Sequence, residues 1–260
     1  MARTRVTFVA LVIVLAVVAL PAAAQQSSFS ITPPPIVAPT FEKDKIDSKI
    51  RFTYASLSGN GMEFSGGGID GLGRKAFSDN LAGDIQGGIF FLSGDLAVPG
   101  SASQTVTFMN MLFSANGEFL AYKGDVFSTL LFAGPSLNFT VGSMDYTYSC
   151  GPTTTCEDTM TMTSYLFGLQ AGIQFGIKAG NFSIDPFAMF MSQQGSATVS
   201  TSFGDTTTTI DPYTTTSFGL DITYLPWNMS LSAIVQEAAK QADSDKEGIK
   251  TNIYQISWRF

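Results

Sequence analysis

Residues 249–260 read I-K-T-N-I-Y-Q-I-S-W-R-F, and their alternation sets the fold class. Tyr254, Ile256, Trp258 and Phe260 fall two apart, with Ile253, Gln255, Ser257 and Arg259 between them. Successive side chains of a strand point to opposite faces. The first set therefore makes one apolar, aromatic-rich face, and the second set a mostly polar one. The bland account is an ordinary amphipathic strand.

The same rhythm recurs upstream. Over 163–176, Tyr165, Phe167, Leu169, Ala171, Ile173 and Phe175 alternate with Ser164, Leu166, Gly168, Gln170, Gly172, Gln174 and Gly176. A soluble sandwich sets its apolar core face against a usually charged outer face. A large apolar face opposite Gly and Gln instead suits a barrel with lipid outside and a polar interior. Further strands are expected at 48–57, 82–92, 104–122, 126–142, 182–191, 214–225 and 229–237. Asn116-Gly117 suggests a bulge or a tight hairpin within 104–122. Pro135 would sit on the apolar face and cost a ladder bond, which suggests another bulge. Residues 230–242 also read as an amphipathic helix, because they hold good helix formers. Residues 62–80 carry Gly66-Gly67-Gly68 and read as a glycine-bent strand or an irregular segment inside the lumen. GGGIDGLG lacks the Gly-Lys-Ser/Thr ending and the strand–loop–helix setting of a phosphate loop.

Composition narrows the class. Arg3 and Arg5, the apolar run Val6 to Leu20 and Ala22-Ala23-Ala24 read as a cleaved secretory signal over 1–24. Without it, 12 basic residues face 21 acidic ones, so the basic footprint of a nucleic-acid binder is missing. Beyond the signal no run of 18 apolar residues occurs. A membrane protein without apolar helices has to be a closed barrel, because lipid cannot satisfy open backbone groups. Residues 25–47, with Pro33-Pro34-Pro35 and Pro39, are expected to be an extended periplasmic linker. Cys150 and Cys156 are the only cysteines, and in an exported chain such a pair reads as a disulfide. A metal site is not expected, since no His completes one, and no cofactor motif is present.

With these features, the C-terminal stretch resembles the closing strand of bacterial outer-membrane β-barrels. The resemblance implies that the barrel-assembly machinery reads Tyr254, Ile256, Trp258 and Phe260, that this strand seals the barrel, and that Phe260 lies on the periplasmic side. The expected loops then alternate as in that family. They are short at 123–125, 177–181 and 226–228, and long at 143–162, 192–212 and 238–248.

The expected fold is all-β: one closed antiparallel transmembrane β-barrel over 48–260, with eight to ten strands. Ten follow if 48–57 and a strand within 62–80 join. The expected partner is outer-membrane lipid. Barrel enzymes of the family commonly rely on a His, and this chain has none. Asp185, Asp221 and Arg259 are the candidate site residues, as a selectivity constriction or a structural ion-pair cluster near one mouth. Lys49 and Arg51 join them if the first strand closes against the last. The expected function is a structural role or a narrow passage for small solutes. The alternatives are surface recognition through the external loops and a lipid-modifying enzyme.

Overall fold

In the computed structural model, ten antiparallel strands close into a barrel, each paired with its sequence neighbours and the last with the first. The structure describes residues 31–59, 62–96, 104–149, 155–238 and 249–260. The strands are β1 (Ile46–Gly59), β2 (Met62–Ala76), β3 (Leu81–Leu96), β4 (Gln104–Lys123) and β5 (Phe127–Ser149), then β6 (Thr155–Ala179), β7 (Phe182–Thr201), β8 (Gly204–Tyr224), β9 (Met229–Ala238) and β10 (Lys250–Arg259). β10 seals the seam, with Lys49 opposite Arg259, Thr53 opposite Gln255 and Ser58 opposite Lys250. The larger expected count, ten, is the observed one.

Period-two alternation sorts the faces. In β10, Tyr254 and Ile256 are exposed while Ile253, Gln255 and Ser257 are buried. In β6, Tyr165, Phe167 and Leu169 are exposed, against buried Ser164, Leu166 and Gln170. Phe52, Ile85, Phe91, Phe113, Phe190 and Phe218 continue the exposed apolar belt on other strands. Such a belt far exceeds the apolar patches of soluble monomers. Two aromatic rows cross its lower edge: Tyr122–Phe127–Phe175, and Phe182–Tyr224–Trp227 with centroids 5.2 and 5.3 Å apart.

The two ends of the barrel differ. The near end carries the first residues of β1, the last of β10 and the short connections at 77–80, 124–126, 180–181 and 225–228. At the last of these, Asn228 takes a left-handed φ of 51°. At the far end, β5 and β6 reach 23 and 25 residues, whereas β9 and β10 have 10 each. A spanning strand takes roughly 9–11 residues, so β5–β8 run on well past that length.

Several expectations change. The long loops at 143–162 and 192–212 are mostly strand. β5 pairs with β6 out to Ser149–Thr155, and β7 with β8 out to Thr201–Gly204. Thr206 to Thr209 put the same side chain on both faces of β8, whereas over 158–163 and 196–200 buried Met160, Met162, Ala197 and Val199 alternate with Thr and Ser, the apolar parity now inward. Residues 62–80 hold a full strand, β2, in which Gly66 and Gly68 serve close approach: a Cβ on Gly66 would lie 1.8 Å from the Phe91 carbonyl oxygen. No hairpin forms at Asn116-Gly117, since β4 runs through both. Pro135 causes no register shift; the β4–β5 shift lies between Leu120 and Tyr122. The pairs simply skip Ala115 and Asn116, so the missing proline N–H costs no slip. Residues 229–238 are strand, which settles the helix alternative there. The signal (1–24), Cys150 and most of the 238–248 loop lie outside the described residues. Residues 31–41, part of the stretch expected as an extended periplasmic linker, lie inside the barrel.

Candidate functional site in the barrel lumen

Inward-facing residues change character at one level along several strands. In β1, buried Lys49, Arg51 and Thr53 give way to Ala55 and Leu57. In β4, Glu118, Asn116 and Ser114 give way to Leu112, Phe108 and Val106, with Asn110 among them, and in β7 Asp185 gives way to Phe187, Met189 and Met191 before Gln193. The near half of the lumen thus holds the charges, beside a small apolar cluster. The far half joins one large apolar cluster, to which Ile31 and Ile36 also belong.

Burying a charge is costly unless it is paired and hydrogen-bonded, and the near half pairs its cations. Arg51 directs Nε (2.8 Å) and Nη2 at Asp70 Oδ2. Gln86 donates to the same oxygen at 3.1 Å. Arg74 holds Asp47 through Nη2 at 2.7 Å and Glu118 through Nη1 at 3.3 Å. Asp84 accepts from Asn116 at 2.9 Å, and Asn116 accepts from Gln170 at 2.9 Å. This last link reaches past β5 at Gly134, where a Cβ would sit 2.8 Å from Asn116 Oδ1. Lys49 pairs with Asp221 at 2.6 Å.

Residues 31–41 thread the lumen without joining the sheet, meeting this half along most of their length and the apolar cluster at Ile31 and Ile36. Pro34 O accepts from Arg51 Nη1 at 2.6 Å, and Ala38 O from Arg74 Nη1 at 2.7 Å. Thr40 O accepts from Arg74 Nη2 at 2.9 Å, and Phe41 O from Lys123 Nζ at 3.0 Å. The Phe41 ring lies 5.3 Å from the Arg74 guanidinium and packs among Ala76, Ala82, Leu120 and Leu130. Pro34, Lys49, Arg51, Asp221 and Gln255 border a cavity of about 10 Å³. Leu57, Met62, Phe64 and Ile249 border another of about 10 Å³. Each has room for about one water.

Of the sequence-predicted charges, Asp185 and Asp221 come together, directly opposite in the β7–β8 ladder. Ser183 donates to Asp185 at 2.5 Å and Ser232 to Asp221 at 3.1 Å. Arg259 does not reach them by hydrogen bond; it donates to Asn228 Oδ1 at 3.3 Å. The seam explains this. Lys49 stands opposite Arg259, and it takes Asp221, while Arg259 lies at the end of the ladder beside the 225–228 turn. Lys49 thus occupies the place beside Asp221 expected for Arg259, and Arg51 pairs with Asp70. Asp70, Arg74, Asp84 and Glu118 were missed. Asp70, Leu72 and Arg74 share one parity within the glycine-rich stretch, and that was the available signal. Trp258 packs edge-on against Phe52 with centroids 6.1 Å apart, and Phe260 is exposed. Among the described residues no cluster of His, Cys, Asp and Glu suits a metal ion, and no helix is long and apolar enough to cross a membrane.

The fold is that of outer-membrane β-barrels. The chain superposes on the outer membrane protease OmpT from Escherichia coli with a TM-score of 0.52 at 9% identity, covering 90% of this chain and 100% of OmpT. On the translocator domain of autotransporter NalP from Neisseria meningitidis the TM-score is 0.53 at 10% identity, covering 83% and 88%. Identity this low carries the fold alone. No family model and no curated protein matches the sequence.

Proposed function

We propose that the chain is an integral outer-membrane barrel, closed to solutes, with a structural, membrane-anchoring role. The filled lumen carries this reading. Residues 31–41 and the paired charges occupy the near half, and the apolar cluster packs the far half. Eight-stranded barrels are already filled by their own side chains, and here a ten-stranded one adds a segment of chain. Of the two sequence-based options, filling favours the structural role over the passage. The exposed belt and its aromatic rows provide the lipid contact. The near end is assigned to the periplasm and β5–β8 to the cell surface, where they would stand as a platform. The reading is non-catalytic: the chain has no His, so the usual serine–histidine–aspartate logic cannot be built. Purified protein in planar bilayers is expected to be silent, and reproducible channels would overturn the proposal.

Export by a cleaved signal and recognition of the last strand by the assembly machinery belong to the same proposal. Deleting Phe260 is expected to impair membrane assembly while export continues. A Cys150–Cys156 bond is proposed at the β5–β6 tip, near the Tyr148–Cys156 and Ser149–Thr155 pairs. Two alkylatable thiols in the unreduced protein would refute it.

A further inference from the structure

We propose that the near half of the lumen is a binding site for an extended, proline-rich peptide, and that residues 31–41 are the ligand it carries in cis. The inference goes beyond the anchoring reading and does not depend on it.

The segment has the chemistry of a ligand for this wall. A buried backbone N–H without a partner is costly, and proline has none. Pro33, Pro34, Pro35 and Pro39 remove four of the eleven donors that burial of 31–41 would otherwise have to satisfy. Ile36 N donates to Pro34 O at 2.9 Å, and Thr32 N reaches Gln236 Oε1 at 3.5 Å. The carbonyls remain, and the wall supplies their donors.

Those donors are also held by carboxylates of the wall. Arg51 spends Nε and Nη2 on Asp70, which leaves Nη1 aimed at Pro34 O. The carboxylates of Asp47 and Glu118 hold Arg74, whose two Nη atoms also reach Ala38 O and Thr40 O. Arg51 thus has one side fixed by a carboxylate and offers Nη1 to the axis, and each Nη of Arg74 is shared between a carboxylate and a segment carbonyl. A planar fork held this way loses little freedom when a carbonyl arrives. Most of these contacts read backbone, so they are indifferent to side-chain identity. Shape is read at two points: Phe41 beside Arg74, and Pro39 over Gly176, where a Cβ would come within 2.6 Å of the proline ring. The segment leaves the lumen at Phe41, and Glu42, Lys43, Asp44 and Lys45 are exposed. A peptide arriving at the near mouth would meet the same donors.

The test uses the full chain. A specific protease site placed within the exposed residues 42–45 is cut after folding, leaving 31–41 held only by non-covalent contacts. Exchange is then followed with a fluorescent synthetic peptide of sequence ITPPPIVAPTF. The labelled peptide is expected to enter saturably, at no more than one per barrel. Arg74→Gln should weaken its binding on the order of tenfold to a hundredfold, the range of a charged hydrogen bond. A competitor with its four prolines replaced by alanine should compete on the order of tenfold less well, since it brings new donors inside. In the uncut chain, Gly176→Ala crowds Pro39, and Thr40→Cys in that background should react faster with a water-soluble thiol reagent than Thr40→Cys alone. The proposal is overturned if the cut barrel takes up no label, if it loses its folded, heat-modifiable form on cutting, or if Arg74→Gln binds the peptide as well as the parent.

Discussion

The two halves of the lumen solve one problem in opposite ways. Both must fill a space ten strands wide, and the same strands line both. In the far half, Phe90, Leu92, Phe108, Leu112, Met144, Met162 and Met189 meet across the axis and exclude water by packing. In the near half, Lys49, Arg51 and Arg74 are set against Asp70, Glu118 and Asp221, and an extended segment closes what remains. Apolar packing is tolerant of volume-conserving swaps. A buried ion pair is not, because removing one partner leaves an uncompensated charge. The near half should therefore be the more fragile to single substitutions and the more forgiving of paired ones.

Arg74→Ala should be the most damaging change. It strands Glu118, releases Asp47 and removes two donors to the 31–41 carbonyls. A loss of about 3–5 kcal/mol is expected, read as an earlier loss of the compact band in heat-modifiability or urea titration. In the far half, Leu112→Ala should cost about 2–5 kcal/mol, depending on how far the cluster collapses. The comparison sharpens with Arg51→Met and Asp70→Leu. Either alone should be severe, whereas the double change should lose less than either single, since replacing both members of a buried pair is often neutral. If the double mutant loses as much as the two singles added together, the pair is not acting as one unit. On the outer face, Ile256→Lys should cost about 1–2 kcal/mol, between the values for the bilayer midplane and its edge. Arg259→Ala should be the mildest, under about 1 kcal/mol, because Arg259 meets Asn228 rather than a carboxylate. Lys49→Ala should exceed it clearly by the same assay, since Lys49 holds Asp221.

Legibility followed contrast between faces. Where apolar and polar residues alternate, as from Tyr165 to Phe175 and from Tyr254 to Phe260, the strand and both of its faces were readable. Over 206–209 Thr occupies both faces and the strand reads as a loop; in 158–163 and 196–200 the alternation is short and its apolar side, Met160, Met162, Ala197 and Val199, turns inward, the reverse of the lipid-facing pattern. In 62–80 the glycines looked like interruptions. Two of them, Gly66 and Gly68, mark places where neighbouring backbone leaves no room for a Cβ; at Gly68 one would lie 2.3 Å from the Ile89 carbonyl oxygen.

Period two is a local property, so the linear order of residues settled the class, the lipid-compatible belt and the seam-closing role of 249–260. Which inward groups meet is a property of closure. Arg51 and Asp70 stand opposite only because β1 and β2 pair in one register, and Lys49 reaches Asp221 only once β10 has sealed against β1. The position of 31–41 belongs to the same category. A proline-rich segment needs few backbone partners, so its composition suits water and the inside of a barrel equally well. The choice between them lay with Arg51, Arg74 and Lys123, whose donors converge on one axis only after the strands have closed.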